Sequence, residues 1–301
     1  MGATHMRVTS NQIHDAMNQA TQRATVELSD TMLRMMSEKR ILRSSDDPIG
    51  AVRLAQLAQS NAALEQYRSD VPNIMSRLKL GEFSLSTMSN ALGEARRLLL
   101  QASDGSSGSL DKKGIAAELV AVRDRLVQFS SARDSSGHYL FSGTAIKTAP
   151  IAFNPAAAAG ARYTFAGNTE KQSVVIGEGV TEIVNDNLKG VEVALNKLDS
   201  IIEQFGSGAK ITANRDVFDA IDHANSLVTS KISRLGNAQN TLTMFDDLHA
   251  ASQIVTAQAA QDAGKIDRNE VYEAYMSYRT ALEATQKVYA HVSQLSLFNI
   301  L

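Results

Sequence analysis

Cysteine and tryptophan are both absent from this 301-residue chain. The missing cysteine removes thiol nucleophiles, disulfide frameworks and zinc–thiolate sites together, and leaves the redox compartment unread. Neither sign of charge prevails, since 30 basic residues stand against 32 acidic ones for a net charge of -2. Such a balance gives no global field to draw in a phosphate backbone or an anionic membrane, so nucleic acid is not an expected partner. Apolar runs are short as well. None exceeds four residues, against the ~20 that a membrane helix needs, and no apolar core of a cleavable secretory signal stands near the start. Membrane insertion is not expected, and the chain reads as cytoplasmic unless another export route carries it. The opening MGATHM reads as tag or start-site residues, so residues 1–5 are set aside from fold reasoning.

Signals of catalysis are equally scarce. The six histidines (His5, His14, His138, His223, His249, His291) never fall four apart, so no helical metal pair is written in the chain. GSSGS and GSGAK lack the strand–loop–helix framing and the Lys-Ser/Thr ending of a phosphate cradle, and no G-x-S-x-G elbow occurs. Asp46-Asp47 stands directly before Pro48. An acidic pair there suits a helix cap far better than a carboxylate dyad, because a cap carboxylate satisfies free N–H groups and proline suits the first helical position. The expectation is no enzyme, no catalytic residue, no metal and no cofactor.

What the chain does have is long helical periodicity. Ile13, Met17, Ala20, Ala24, Leu28, Met32 and Met35 recur three and four apart, one stripe on a first helix that RILRSSDDPIGA stops. Farther on, Val71, Leu78, Leu85, Leu92 and Leu99 fall seven apart, with Ile74, Gly81, Met88, Ala95 and Ala102 in the complementary positions of a heptad seam. Pro72 lies just inside that seam, which predicts a kink or a restart there. A third helix carries Ile115, Leu119, Val122, Leu126 and Phe129 and is expected to end at Ser135-Ser136-Gly137. From His138 to about Ile176 the period changes to short aromatic and β-branched runs between turns, which read as a few strands. Helical spacing then resumes through Val191–Phe205, Val217–Phe245 and Val271–Val292.

The chain ends VSQLSLFNIL, with four apolar residues in the last five. Chain ends are normally frayed, because nothing offsets the entropy lost on ordering them. An apolar seam running to the last residue has no following element to cover it, so this tail implies a partner.

At RILRSSDDPIGA, GHYLFSGTAIKTAP, ISRLGNAQNTL and YRTALEATQKVYAHVSQLSLFNIL the sequence resembles the bacterial flagellin superfamily, and it does so over essentially Met6 to Leu301. Pro48 after the acidic pair, the Tyr139-Leu140-Phe141-Ser142-Gly143 block and the Ser296-Leu297-Phe298 ending are similar to its hook–filament junction branch more than to filament flagellin. Glu38 is a departure, since the family tends to have Gly before Lys39-Arg40.

The fold expected is mainly α, a long-helix bundle with coiled-coil N- and C-terminal helices and a small β-rich inserted domain. Residues 6–45 with 262–301 form the terminal coiled-coil domain, 46–140 with 188–261 the helical bundle, and 141–187 the outer domain. The resemblance implies a structural adaptor joining a hook-associated ring to the flagellin filament, secreted by the flagellar type III apparatus and extracellular on the flagellum. Implied partners are its own copies in a ring, the neighbouring hook-associated protein, flagellin, and an export chaperone on the C-terminal region. Residues expected to make these contacts are Ile13, Met17, Leu28, Val271, Tyr275, Tyr278, Leu282, Tyr289, Val292, Leu295, Leu297, Phe298, Ile300 and Leu301. The alternatives are a flagellin filament subunit and a non-flagellar secreted coiled-coil protein of adhesin-like character.

Overall fold

The heptad seam is enclosed along its length: Val71, Leu78, Leu85, Leu92 and Leu99 are all buried, the last three with no exposed surface. The structure is a computed structural model that describes residues 3–103, 109–206 and 215–298, with backbone alone for 3–11, 13, 109–112, 206 and 292–298. Six helices run in chain order as α1 (Ala3–Ser37), α2 (Pro48–Ser103), α3 (Ser109–Ser130), α4 (Val191–Gly206), α5 (Arg215–Gly264) and α6 (Arg268–Phe298). Between α3 and α4 lie β1 (Ile151–Phe153), β2 (Tyr163–Phe165), β3 (Ser173–Gly177) and β4 (Val180–Ile183). The strands form two antiparallel hairpins, β1 with β2 and β3 with β4. The mainly α fold with a small β insert is as the periodicity predicts. No described helix is long and apolar enough to cross a membrane.

Two expected boundaries differ. Helix α2 continues through Pro72 without restarting. Proline there removes one backbone hydrogen bond, but the turn before it is held by α5: Tyr67 stacks on His249, with ring centroids 5.4 Å apart, and the Arg68 guanidinium meets Asp246 at 2.9 Å. Helix α3 stops at Ser130 instead of running to Ser135. The Asp134 carboxylate accepts the N–H groups of Ser136 and His138, both at 2.9 Å, and so binds the chain into a tight turn.

The chain divides into two compact units, residues 1–63 with 253–301 and residues 64–252. The second unit holds nearly all of the core. Helix α3 packs on α4, and α4 on β2. Residues 141–187, expected as an outer domain, place Phe141, Ile151, Tyr163 and Ile176 in the same hydrophobic core as the helices. Several specific contacts fasten them. Asn196 on α4 reads the β2 backbone in both directions, its carbonyl accepting from the Tyr163 N–H at 2.9 Å and its amide donating to the Tyr163 carbonyl at 2.8 Å. Asp199, almost fully buried, accepts from Arg123 at 3.3 Å and Arg162 at 3.4 Å. Burial raises the pKa of the Tyr163 phenol beside them. A ring N–H of buried His249 donates to the Ile176 carbonyl at 2.7 Å.

The blocks HYLFSG and SRLGNAQ meet in this unit. Phe141 and Leu235 close over Gly81, where a Cβ would stand 3.1 Å from a Leu235 methyl and 3.9 Å from the Phe141 ring. Gly143 has φ of +68°, and a Cβ there would collide with the Asn168 carbonyl oxygen at 2.3 Å. Asp186 draws the segment onto α5 through Lys231 at 2.8 Å and through Arg234.

Candidate assembly surface

The first unit is built from α1, the turn at 38–47, the first turns of α2, the end of α5, and α6. Helices α1 and α6 run antiparallel, since Lys39 bridges Lys265 at one end of the pair and the His14 ring meets Tyr289 edge-on at 5.3 Å toward the other. The turn between α1 and α2 is tightly determined. Asp47 caps α2, its carboxylate accepting from the Gly50 N–H at 2.9 Å, and Pro48 is the first helical residue. Asp46 accepts from the N–H groups of Leu42 and Arg43, both at 3.1 Å. These backbone hydrogen bonds, from Arg43 to Asp46 and from Gly50 to Asp47, hold both carboxyls below the ordinary aspartate pKa. Gly50 is required here, because a Cβ would stand 2.3 Å from an Asp47 oxygen and 2.6 Å from Ile41.

Arg40 ties this turn to α5. Its N–H donates to the Gly264 carbonyl at 2.8 Å, and its guanidinium reaches the Ala263 carbonyl at 3.1 Å and Asp47 at 2.9 Å. The guanidinium thus neutralises a helix C-terminus and an acidic cap at once. Glu38, the residue that departs from the family pattern, has φ of +54° and is the one non-glycine with positive φ among the described residues. Helices commonly end on a left-handed residue, usually glycine, so the family's preference has a backbone cause here. Glu38 accepts a hydrogen bond from Arg268 at 2.6 Å.

Helix pairing alone gives this unit little core. Thr31, Gly50 and Ile266 are its buried residues among those described. Of the expected contact residues, Met17 and Leu28 on α1 and Val271, Tyr275, Tyr278 and Leu282 on α6 are half-buried, and Tyr289 is exposed. The side chains of Ile13, Val292, Leu295, Leu297 and Phe298 lie outside the described residues, as do Ile300 and Leu301 altogether.

The stripe on α1 needs a correction. Covered positions run through His14, Met17, Thr21, Ala24, Leu28 and Thr31, whereas Ala20, Met32 and Met35 are exposed. Reading apolar letters alone drew the line through the methionines. Thr31 can take the covered position because its hydroxyl donates to the Glu27 carbonyl at 2.6 Å, which leaves its methyl group to pack. Val26, Leu33, Met36, Ile49, Val52, Ile254, Val255, Tyr272, Met276 and Val288 are exposed apolar residues that the sequence reading did not select, and Ile49 is 84 % and Ile254 72 % accessible. This unit therefore exposes many apolar side chains for the little core it has. An open groove of about 1120 Å³ lies in the same unit, with Ile41, Leu54, Ala58 and Ile266 on its walls and Glu38 and Arg268 among its charged residues. No group of three or more His, Asp or Glu among the described residues is placed to hold a metal ion.

An antiparallel terminal helix pair that exposes apolar side chains, joined in sequence to a well-packed helical unit with a β insert, defines a class of mainly helical protein. Residues 8–146 match the family described as the bacterial flagellin N-terminal helical region. The N-terminal part of the chain is thus flagellin-like. The chain is 25% identical over 292 residues to flagellar hook-associated protein 3 of Escherichia coli strain K12, covering 89% of this chain and 90% of the relative. It is 22% identical to flagellar hook-associated protein 3 of Salmonella typhimurium strain LT2, covering 98% of this chain and 99% of that one. A solved flagellar hook-associated protein from Vibrio parahaemolyticus superposes with a TM-score of 0.65 at 28% identity, covering 73% of this chain and all of that one. The chain is thus a homologue of flagellar hook-associated protein 3.

Proposed function

We propose that this chain is a structural subunit of the bacterial flagellum, seated extracellularly at the hook–filament junction, where it connects a hook-associated ring to flagellin. The observation that carries this reading is the homology with hook-associated protein 3 along nearly the whole of both chains. The terminal helix pair that buries almost nothing by itself supports it. Two paired helices expose more apolar surface than they cover, and the stable solution is to bury it against further helices.

Residues 6–45 with 262–301 are read as the coiled-coil assembly domain. Met17, Leu28, Val271, Tyr275, Tyr278, Leu282 and Tyr289 set its internal pairing, and Ile13 with the tail from Val292 to Leu301 continues that seam. Copies of the subunit close into a ring, and the C-terminal region is held by an export chaperone before passage through the flagellar type III apparatus. One apolar seam then serves two partners in succession. The role is structural, and no reaction is assigned to the chain.

An in-frame deletion in the source organism tests this. Cells should carry hooks, lack filaments and shed flagellin into the medium, and the intact gene should restore filaments. Normal filaments on deletion cells would remove the junction role.

A further inference from the structure

A cavity of about 400 Å³ opens in the second unit, lined by α2, by the turn after α3 and by β3 with its flanking residues. Small-molecule sites have volumes of about 300–1,000 Å³. Ile74 and Leu80 of α2 and Val174 of β3 give this one apolar walls, and Ser76 and Ser135 bring hydroxyls. Its charged lining residues are Arg77 and Asp134. The Arg77 guanidinium is only partly used. Its Nε stands 3.9 Å from Asp134 Oδ2, an ion pair too long for a hydrogen bond, and its Nη2 is buried with no hydrogen-bond partner among the described residues. Asp134 is committed elsewhere: Oδ1 accepts from the Ser136 and His138 N–H groups, and Oδ2 has the His138 ring Nδ1 at 3.7 Å. A buried N–H left unpaired is costly, the more so on a charged group.

We propose that this cavity binds a small apolar monocarboxylate through Arg77. The inference goes beyond the junction role and does not rest on it. A planar guanidinium fork matches a carboxylate, which accepts from Nη2 in a charge-assisted hydrogen bond. The serine hydroxyls supply further donors. One negative charge suits the site and two do not, because Asp134 already stands against the arginine. A phosphate dianion would meet the Asp134 carboxylate with too little positive charge beside it. The rest of the ligand is apolar, since Ile74, Leu80 and Val174 offer a branched alkyl group cover from water and no polar partner. Leu80 is exposed in the free chain, so the ligand gains by covering it.

The test titrates the purified full-length chain with 4-methylvalerate, its neutral amide 4-methylvaleramide and inorganic phosphate, read by isothermal calorimetry. The carboxylate should bind one per chain with a dissociation constant of about 1 mM or tighter, and the amide and phosphate at least roughly tenfold more weakly. R77Q should lose the preference for the acid over the amide. S135F changes an exposed turn residue at the cavity wall and should block both ligands while the melting temperature stays near that of the native chain. If R77Q does not fold, S135F and the acid–amide comparison still decide. No saturable binding of 4-methylvalerate up to about 10 mM would overturn the proposal, as would equal affinity for acid and amide, or native affinity in folded S135F. Phosphate bound as tightly as the acid would overturn the single-charge site.

Discussion

Replacing Phe141 with alanine separates two accounts of residues 141–187. Phe141 is 1 % accessible and lies against Gly81 on α2 and Leu235 on α5. Truncating a buried phenylalanine costs about 3–5 kcal/mol, the lost transfer energy plus the cavity that the surroundings fail to refill. Gly81 offers no side chain to move in, which places Phe141→Ala toward the upper end. At roughly 2–4 °C per kcal/mol for a unit of this size, the melting temperature should drop by about 10 °C or more. A shared core requires that the loss be shared too. Circular dichroism of the helices and hydrogen exchange of peptides from 141–187 should shift together, with peptides from α2 near Gly81 and from α5 near Leu235 exchanging in step. Phe153→Ala, at a half-exposed site on β1, should cost far less. Faster exchange confined to 141–187, with the helical melt unchanged, would refute the shared core and restore an independent outer domain.

Gly93 lies exposed within α2 with nothing near its Cβ position, so Gly93→Ala should raise stability by about 1 kcal/mol in thermal unfolding; Gly50→Ala, which has no room, should destabilise the 38–50 turn. Glu38→Gly should remove a left-handed Cβ penalty of about 1–2 kcal/mol and lose an exposed ion pair worth less, slowing exchange at the Arg40 amide, while Glu38→Ala should bring no such gain. The carboxyls of Asp46 and Asp47 titrate below their ordinary value of 3.8, so their stabilisation is full above that pH and is lost as pH falls through the lower folded values. Carbon NMR of the two carboxyls should show midpoints under 3.8, and midpoints at or above it would contradict the capping geometry.

Regular repeats made much of the fold legible. The heptad positions from Val71 to Leu99 are buried in the order written, and the acidic pair before Pro48 caps α2 by the chemistry its residues suggest. Phe141 carries no such signature, because its burial depends on which helices face it and a loop residue has no period to reveal it. The paired face of α1 was misdrawn at Met32 and Met35 for a related reason: letters record polarity, and Thr31 escapes its polarity by bonding its own helix. Glu38 is the opposite case. A single departure from the family's glycine pointed to the one non-glycine residue, among those described, at which the backbone turns left-handed.

The central claim is that the terminal helices gain their cover from other subunits. Hydrogen exchange on the free full-length chain at high dilution tests it most directly, by comparing α1 and α6 with the seam from Leu78 to Leu99. The seam sits in the packed core of its unit, whereas the terminal pair has little beyond its own helix contacts, and such helices are marginal in water. Amides of α1 and α6 should exchange at least roughly a hundredfold faster than those of the seam, a difference of about 2.8 kcal/mol in opening free energy. Protection of α1 and α6 equal to that of the seam in the dilute, unassembled chain would contradict the account.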